Sequence, residues 1–322
     1  MARPAAETIV DCARSLLDHG LVGRARNGDV RVFVTGASGF IGSAVVQQLL
    51  DAGHEVVGLA RSDASADSLR AAGVDVHRGD VHDVDSLRAG AADADGVIHL
   101  AFGHDFSAYA AAVAADLRAV EAIGEQLAGS DRPLVITSGT LALAFAGGTG
   151  TEDMVLDPAL PRVGAEHAAI ALADRGVRSA VVRLAPCVHD VHRAGLASRL
   201  IDIARERGVA AYVGDGTNVW PGVHRLDAAD LFVRALERAP AGTRLHGAAE
   251  PGVPMRDIVE TIGNRLGLPS KSITREEIED HFGDAALFVT LDNPTSSART
   301  REQLGWDPTL PSLLHDLENA EL

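Results

Sequence analysis

Short apolar, β-branched runs alternate with segments of helical periodicity over the first two thirds of the chain. The series opens near residues 31–35 with Val32, Phe33 and Val34, and comparable runs recur near 55–60, 74–78, 95–101, 132–138 and 178–184. Runs this short and this continuously apolar predict strands buried on both faces. Between the fourth and fifth runs, Tyr109, Val113, Leu117, Val120, Ile123 and Leu127 mark the apolar side of one long helix. Strand and helix in alternation imply right-handed crossovers, hence an α/β fold built on a doubly wound parallel sheet.

Past about residue 189 the alternation loosens. Glycines 214 and 216 mark a turn, a helix is predicted to begin near Asp227, and further helices are predicted near 254–266 and 274–281. This part is expected to form a smaller lobe over the sheet edge. Ahead of the first strand, Ile9, Val10, Ala13, Leu16 and Leu17 recur at helical spacing and stop at Gly20 and Gly23, which predicts one added amphipathic helix. The expected organisation is therefore a helical extension over 1–28, a nucleotide-binding domain over 29–188, and a mixed lobe over 189–322 with some elements returning to the main sheet.

Composition narrows the partners. A hydrophobic content of 46% over 322 residues is ample for a buried core. A formal charge of −16 argues against nucleic acid and anionic membrane surfaces, leaving a small-molecule substrate as the expected partner. Cys12 and Cys187 are too few for a disulfide framework or a zinc site and suit a reducing cytoplasm. The start of the chain does not read as a signal peptide, because Asp11 and Arg14 interrupt its apolar residues. No apolar run approaches the length of a membrane span, and the expected location is cytoplasmic.

The sharpest chemical signal is Thr35 to Gly42, TGASGFIG, which follows the first strand directly and opens the helical run Ile41, Ala44, Val45, Leu49 and Leu50. Gly36 permits the tight turn, Gly39 lets backbone approach a pyrophosphate, and Gly42 allows close packing of helix on sheet. The free N–H groups and dipole of the helix start favour the anion, so Ser38, Phe40 and Ile41 join the three glycines as cofactor-binding candidates.

This spacing resembles the short-chain dehydrogenase/reductase superfamily in its extended and atypical branches, the NAD-dependent epimerase/dehydratase type. The resemblance continues through Gly79, Asp80 and Val81, through His99, Leu100 and Ala101, through Thr137 and Ser138, through Val223 to Asp227, and through Leu304 to Pro308. It implies a Rossmann-type sheet, Asp80 and Val81 at the adenine, and Leu100, Ala101 and Thr137 lining the cofactor. An NAD-preferring site would carry Asp or Glu near Ala60. This chain has Arg61 and Ser62 just after it, which suit a 2′-phosphate and favour NADP, with NAD possible and Asp63 as a complication.

The superfamily's Tyr and Lys, four residues apart, are missing. Lys271 is the only lysine, and the best-matching segment, Pro161 to Glu166, puts Arg162 where Tyr belongs and Glu166 where Lys belongs. Ser138 matches the serine that orients a substrate carbonyl, with Thr140 as a helper or a loop-satisfying hydroxyl. His104 beside Asp105 is a candidate proton donor. His189 and His192 are weaker candidates, lacking a third ligand if read as a metal pair. Phe102, Phe106, Tyr109, Tyr212 and Trp220 could wall an apolar pocket, though core packing explains most of them as well. Asp227 most simply caps the helix that follows it. The leading expectation is an NADP-dependent oxidoreductase acting on a small carbonyl or enone with a non-standard proton donor. A catalytically silent nucleotide-binding protein and a redox-neutral epimerase or isomerase are the alternatives. A homodimer through the alanine-rich long helix is implied only by the resemblance.

Overall fold

The structure, a computed structural model, describes residues 30–103 and 108–321. The helix expected within residues 1–28, and His104, Asp105 and Phe106, lie outside the described residues.

Six of the elements expected from the hydrophobic pattern form the central sheet. Strand β1 (Arg31–Thr35) leads to helix α1 (Phe40–Asp51), β2 (Glu55–Ala60) to α2 (Asp63–Ala71), and β3 (Asp75–Arg78) to α3 (Val84–Ala92). Strand β4 (Gly96–His99) leads to α4 (Tyr109–Leu127), and β5 (Pro133–Gly139) passes through a 3-10 turn (Thr140–Ala146) to α5 (Val163–Ala171) and then β6 (Arg178–Leu184). The fourth strand is shorter than its apolar run, so Leu100 and Ala101 lie beyond its end.

Beyond the sixth strand come β7 (Cys187–His189), α6 (Ala197–Arg207), β8 (Ala210–Val213), β9 (Val219–His224), α7 (Arg225–Arg238) and β10 (Thr243–Gly247). They are followed by β11 (Glu250–Pro254), α8 (Met255–Leu266) and β12 (Ser270–Ile273), and by four short helices, α9 (Ile278–Phe282), α10 (Ala286–Val289), α11 (Ala298–Leu304) and α12 (Leu313–Glu318). The helix expected over 274–281 is broken in two: a 3-10 turn at Arg275–Glu277, closed by a capping box on Thr274, precedes α9.

The main sheet has seven strands in the order β10-β6-β5-β4-β1-β2-β3, and every neighbouring pair is parallel. Its chain order reverses between β1 and β4, the crevice where sheets of this kind bind ligands. One face packs Val32, Val34, Ile98 and Val135 on Val45 and Leu49 of α1 and on Leu231 and Phe232 of α7. The opposite face packs Phe33, Val97, Leu134 and Ile136 on Leu87, Val120, Ile123 and Ala165. Burial on both faces is why the strands read as continuous apolar runs.

A second core gathers Ile201, Trp220, Ile258, Ile262, Leu313 and Leu317 around two small sheets, β11-β9-β7 and β12-β8. Among the described residues no helix is long and apolar enough to cross a membrane.

Candidate active site

The glycine turn has the geometry its spacing predicts. Gly36 adopts φ +68°, and a Cβ there would meet Ala101 N at 2.8 Å and Leu100 C at 2.9 Å, so the turn lies against the exit of β4. A Cβ on Gly42 would come 2.0 Å from the Gly36 carbonyl oxygen, a separation only glycine permits. Gly39, by contrast, faces only that same oxygen at 3.1 Å, which leaves its outer side open. The Gly39 N–H donates to Gly36 O at 2.9 Å, and the first turn of α1 carries neither a side-chain cap nor an acidic residue. The amides of Phe40, Ile41 and Gly42 therefore present an unneutralised helix N-terminus beside the exposed Ser38. This open cradle fits a dinucleotide pyrophosphate.

Arg225 and Arg193, from the C-terminal part of the chain, stand over the Phe40 ring at 5.0 and 5.7 Å. Arg225 is also 3.2 Å from Asp190. Two cations thus flank the same helix start, an arrangement that spacing along the chain does not reveal.

At the other end of the crevice, Ser62 caps α2 by accepting from Ser65 N at 3.2 Å. Arg61 is 78% exposed and lies 3.8 Å from Asp80, whose Oδ1 accepts from His82 N at 2.9 Å. Ala60 and Arg78 are register partners in β2 and β3, which brings Arg78 to the same edge. Arg78 donates to Ser62 O at 2.8 Å and pairs with Asp63 at 2.9 Å. Nothing in the local sequence marks Arg78; only the pairing register reveals it. Asp63 is therefore occupied by a cation of its own, and Val81 is half-buried next to Asp80.

A third part of the crevice is built from the exits of β1, β4 and β5. Thr35 Oγ1 accepts the N–H groups of Leu100 and Ala101, each at 3.2 Å, and lies 2.8 Å from His99 Nδ1. Asp116 of α4 approaches the other ring nitrogen of His99 at 3.3 Å. Its second oxygen lies 3.5 Å from Nε of Arg162. Arg162 donates from Nη2 to Thr137 O at 2.8 Å, and Thr137 in turn donates its hydroxyl to His99 O at 3.1 Å. The guanidinium lies over the Phe102 ring, with Cζ 3.9 Å from its centre, and Tyr109 meets that ring edge-on at 5.8 Å. Burial raises the Tyr109 pKa, Arg162 opposes the rise and Asp116 adds to it, so the phenol stays protonated through the neutral range.

Arg162 and Glu166, which the resemblance sets in the places of the superfamily's Tyr and Lys, part company. Arg162 precedes α5 in a left-handed conformation, φ 66°, and reaches the crevice. Glu166 turns inward at 1% exposure, held by Arg183 Nε at 2.9 Å and by Arg244 Nε at 2.7 Å. Burial pushes its pKa up, but the two guanidinium groups more than offset this and hold it below the usual carboxylate value.

Other candidates fall into separate places. Ser138 is 4% exposed and is the register partner of Arg183. Thr140 is fully buried and accepts from Asn293 at 3.1 Å. His189 is buried against Asp316 at 2.7 Å, whereas His192 pairs with Glu321 at 3.2 Å on the surface, so the two histidines do not converge. Phe102 and Tyr109 meet, but Trp220 belongs to the second core and Tyr212 stacks under Arg256 at 5.3 Å. The helix after β9 is capped by His224, which accepts from Leu226 N at 3.2 Å, and not by Asp227. Asp227 instead accepts from Leu310 N at 3.1 Å, tying in the segment that carries Trp306.

A doubly wound parallel sheet with a glycine turn and an uncapped helix at its switch point defines an α/β protein of the dinucleotide-binding class. The chain belongs to the NAD dependent epimerase/dehydratase family, whose sequence profile matches residues 32–158. It is 50% identical to an uncharacterised protein of Schizosaccharomyces pombe, across 89% of this chain and 98% of that one. Among solved structures, it is similar to a dTDP-glucose 4,6-dehydratase from Streptomyces venezuelae with NAD bound, at TM-score 0.71 and 20% identity, covering 90% and 95% of the two chains. It is likewise similar to a UDP-glucuronic acid 4-epimerase from Bacillus cereus in complex with NAD, at TM-score 0.68 and 19% identity, covering 90% and 97%.

Proposed function

We propose that this protein is an NADP-dependent oxidoreductase that reduces a small carbonyl or enone compound. The observation that carries the reading is the exchange at the start of α5. By the resemblance, the Arg162 guanidinium takes the place of the superfamily's phenol, and Glu166, in the lysine's place, is locked between two arginines. Arginine cannot accept a proton from an alcohol, so the step that begins oxidation of a hydroxyl has no base there. It can stabilise charge that builds on a carbonyl oxygen, which is what reduction demands.

Nicotinamide chemistry is supported by the family and by the bound NAD of the structural neighbours. A bound reduced nicotinamide would supply hydride at the β4 and β5 exits. The preference for the phosphorylated form rests on Arg61, Arg78 and Ser62 at one edge. Gly36, Gly39 and Gly42 with the α1 amides would hold the pyrophosphate, and Asp80 the adenine. Tyr109, water or His104, the last outside the described residues, would return the proton.

The names of the neighbours support a redox-neutral epimerase as the second reading. The two separate experimentally. Nucleotide-stripped protein is titrated with NADPH and NADH, then given aldehydes and enones while NADPH absorbance is followed. Tighter binding of NADPH and net consumption support the proposal. A nucleotide retained through purification, with no net consumption, would favour the redox-neutral reading.

A further inference from the structure

We infer that Arg162 is the electrophilic residue of this site: its guanidinium receives the oxygen of a neutral, flat, conjugated carbonyl acceptor as that oxygen becomes negative. Asp116, His99 and Thr35 are the positioning residues behind it. The inference rests on the reductive reading above and assigns to it a residue and a substrate class.

Three observations converge. First, Arg162 adopts φ 66°, one of only two non-glycine residues with positive φ among those described. Such a conformation is costly and persists only where the surroundings impose it. Here it turns the side chain back over β5, so that Nη2 meets Thr137 O at the strand exit instead of projecting into solvent. Second, the guanidinium is gripped on one edge only. Nε faces Asp116 and Nη2 reaches Thr137, while Nη1 has no hydrogen-bond partner among the described residues. Third, Nε of Arg162 and Oδ2 of Asp116 are buried and face each other at 3.5 Å without closing a hydrogen bond. Buried polar atoms left short of partners need an explanation, and a group that tightens when its ligand arrives supplies one.

The chemistry of the surroundings selects the ligand. Asp116, 3% exposed, compensates the guanidinium charge, so the site is not built to trap a permanent anion. It offers directed donors to an oxygen that gains charge only during reaction. The aromatic neighbours Phe102 and Tyr109 add an apolar wall that suits a planar, conjugated molecule. In the step itself, hydride adds to the acceptor carbon, the C=O π pair moves to oxygen beside Arg162, and that oxygen then takes a proton from Tyr109 or water. For an enone the hydride adds at the β-carbon, the enolate oxygen sits beside Arg162, and the proton goes to the α-carbon.

para-Nitrophenol tests this without turnover, because its phenolate mimics the oxyanion and absorbs in the visible. At a pH below its own pKa, with NADP-saturated protein, the phenolate band should appear on binding to the wild type. It should be lost in the double variant Arg162→Gln/Asp116→Asn, which leaves no uncompensated buried charge, and be partly kept in Arg162→Lys. NADPH affinity and the melting temperature of each variant report that the fold and cofactor site survive. With para-nitrobenzaldehyde or cyclohexenone as acceptor, kcat/KM should fall about 100-fold or more in the double variant while NADPH affinity stays within about twofold. An equal phenolate band in wild type and double variant, or none in the wild type, overturns the inference. A band in the wild type without reduction of either acceptor overturns the oxidoreductase reading and leaves the Arg162 assignment standing.

Discussion

Thr35 Oγ1 and His99 Nδ1 lie 2.8 Å apart, and Asp116 stands 3.3 Å from the other nitrogen of the same ring. The hydroxyl oxygen already accepts the Leu100 and Ala101 amides, so donating its own proton to Nδ1 is the arrangement that completes its hydrogen bonds. The first residue of the glycine motif is thereby linked to Arg162 through two side chains. Thr35→Val leaves the Ala101 amide and His99 Nδ1 without a partner, while the Leu100 amide keeps the Thr35 carbonyl at 3.2 Å, and should destabilise the protein by about 1–3 kcal/mol. Thr35→Ser should lose much less, and chemical denaturation of both variants checks it.

The glycines of the turn should fail in different ways. Gly42→Ala drives a Cβ into the Gly36 carbonyl at 2.0 Å, so it should lower the melting temperature and abolish nucleotide binding together. Gly39→Ala meets only one atom, at 3.1 Å, and should fold nearly normally. Its new methyl occupies the pyrophosphate approach, so the loss should appear in nucleotide affinity alone. Melting curves with and without NADPH distinguish the two.

Arg61 and Arg78 should discriminate between the two nicotinamide cofactors. Removing both as alanines should weaken NADPH by at least about tenfold, roughly 1.4 kcal/mol, while leaving NADH little changed. Calorimetric titration of the double variant with each nucleotide gives the answer. An equal loss for both would place the arginines at the adenine or the surface instead.

Restoring the superfamily's pair should not restore its chemistry. Arg162→Tyr/Glu166→Lys sets a lysine between Arg183 and Arg244, where Glu166 now sits at 1% exposure. Breaking a buried ion pair costs about 3–5 kcal/mol, and adding a like charge costs more. The double variant should be insoluble or melt far below the wild type, and Glu166→Lys alone should show most of that loss.

Stability should fall on mild acidification. Burial lowers His246 to about 4 from its ordinary 6.5, so between those values the unfolded chain binds the proton and the folded chain does not. The contribution is complete above about 6.5, declines as pH falls, and is flat below about 4. His189 moves the same way, burial outweighing the pull of Asp316. Replacing His246 by Gln should flatten part of this slope in melting temperature against pH, and an unchanged slope would locate the effect elsewhere.

The legible parts of this protein are those where backbone geometry restricts residue type locally. The strands from β1 to β6 were readable because burial on both faces demands continuous apolar runs. The cofactor turn was readable because positive φ at Gly36 and the close approach at Gly42 admit little besides glycine. Strand β10 carried no such signal. Its Arg244 and His246 look like surface residues in TRLHG, yet the sheet draws them in, where Glu166 and the Ser296 carbonyl satisfy them. Arg78 likewise became a neighbour of the Arg61 edge only through the register of β2 on β3.

The cluster around Arg162 shows the same division. The resemblance sets Arg162 and Glu166 in the places of the missing pair, and nothing along the chain tells one from the other. Folding turned Glu166 inward, because buried Arg183 of β6 and half-buried Arg244 of β10 require a carboxylate, and sent Arg162 to the crevice, because Thr137, Asp116 and Phe102 hold it there. Local sequence determined the sheet and the nucleotide turn, since hydrogen-bonding pattern, burial and φ act on neighbouring residues. Only tertiary structure decided the site's chemistry, because the charges that set it come from strands and helices far apart in the chain and interact only once the sheet has assembled.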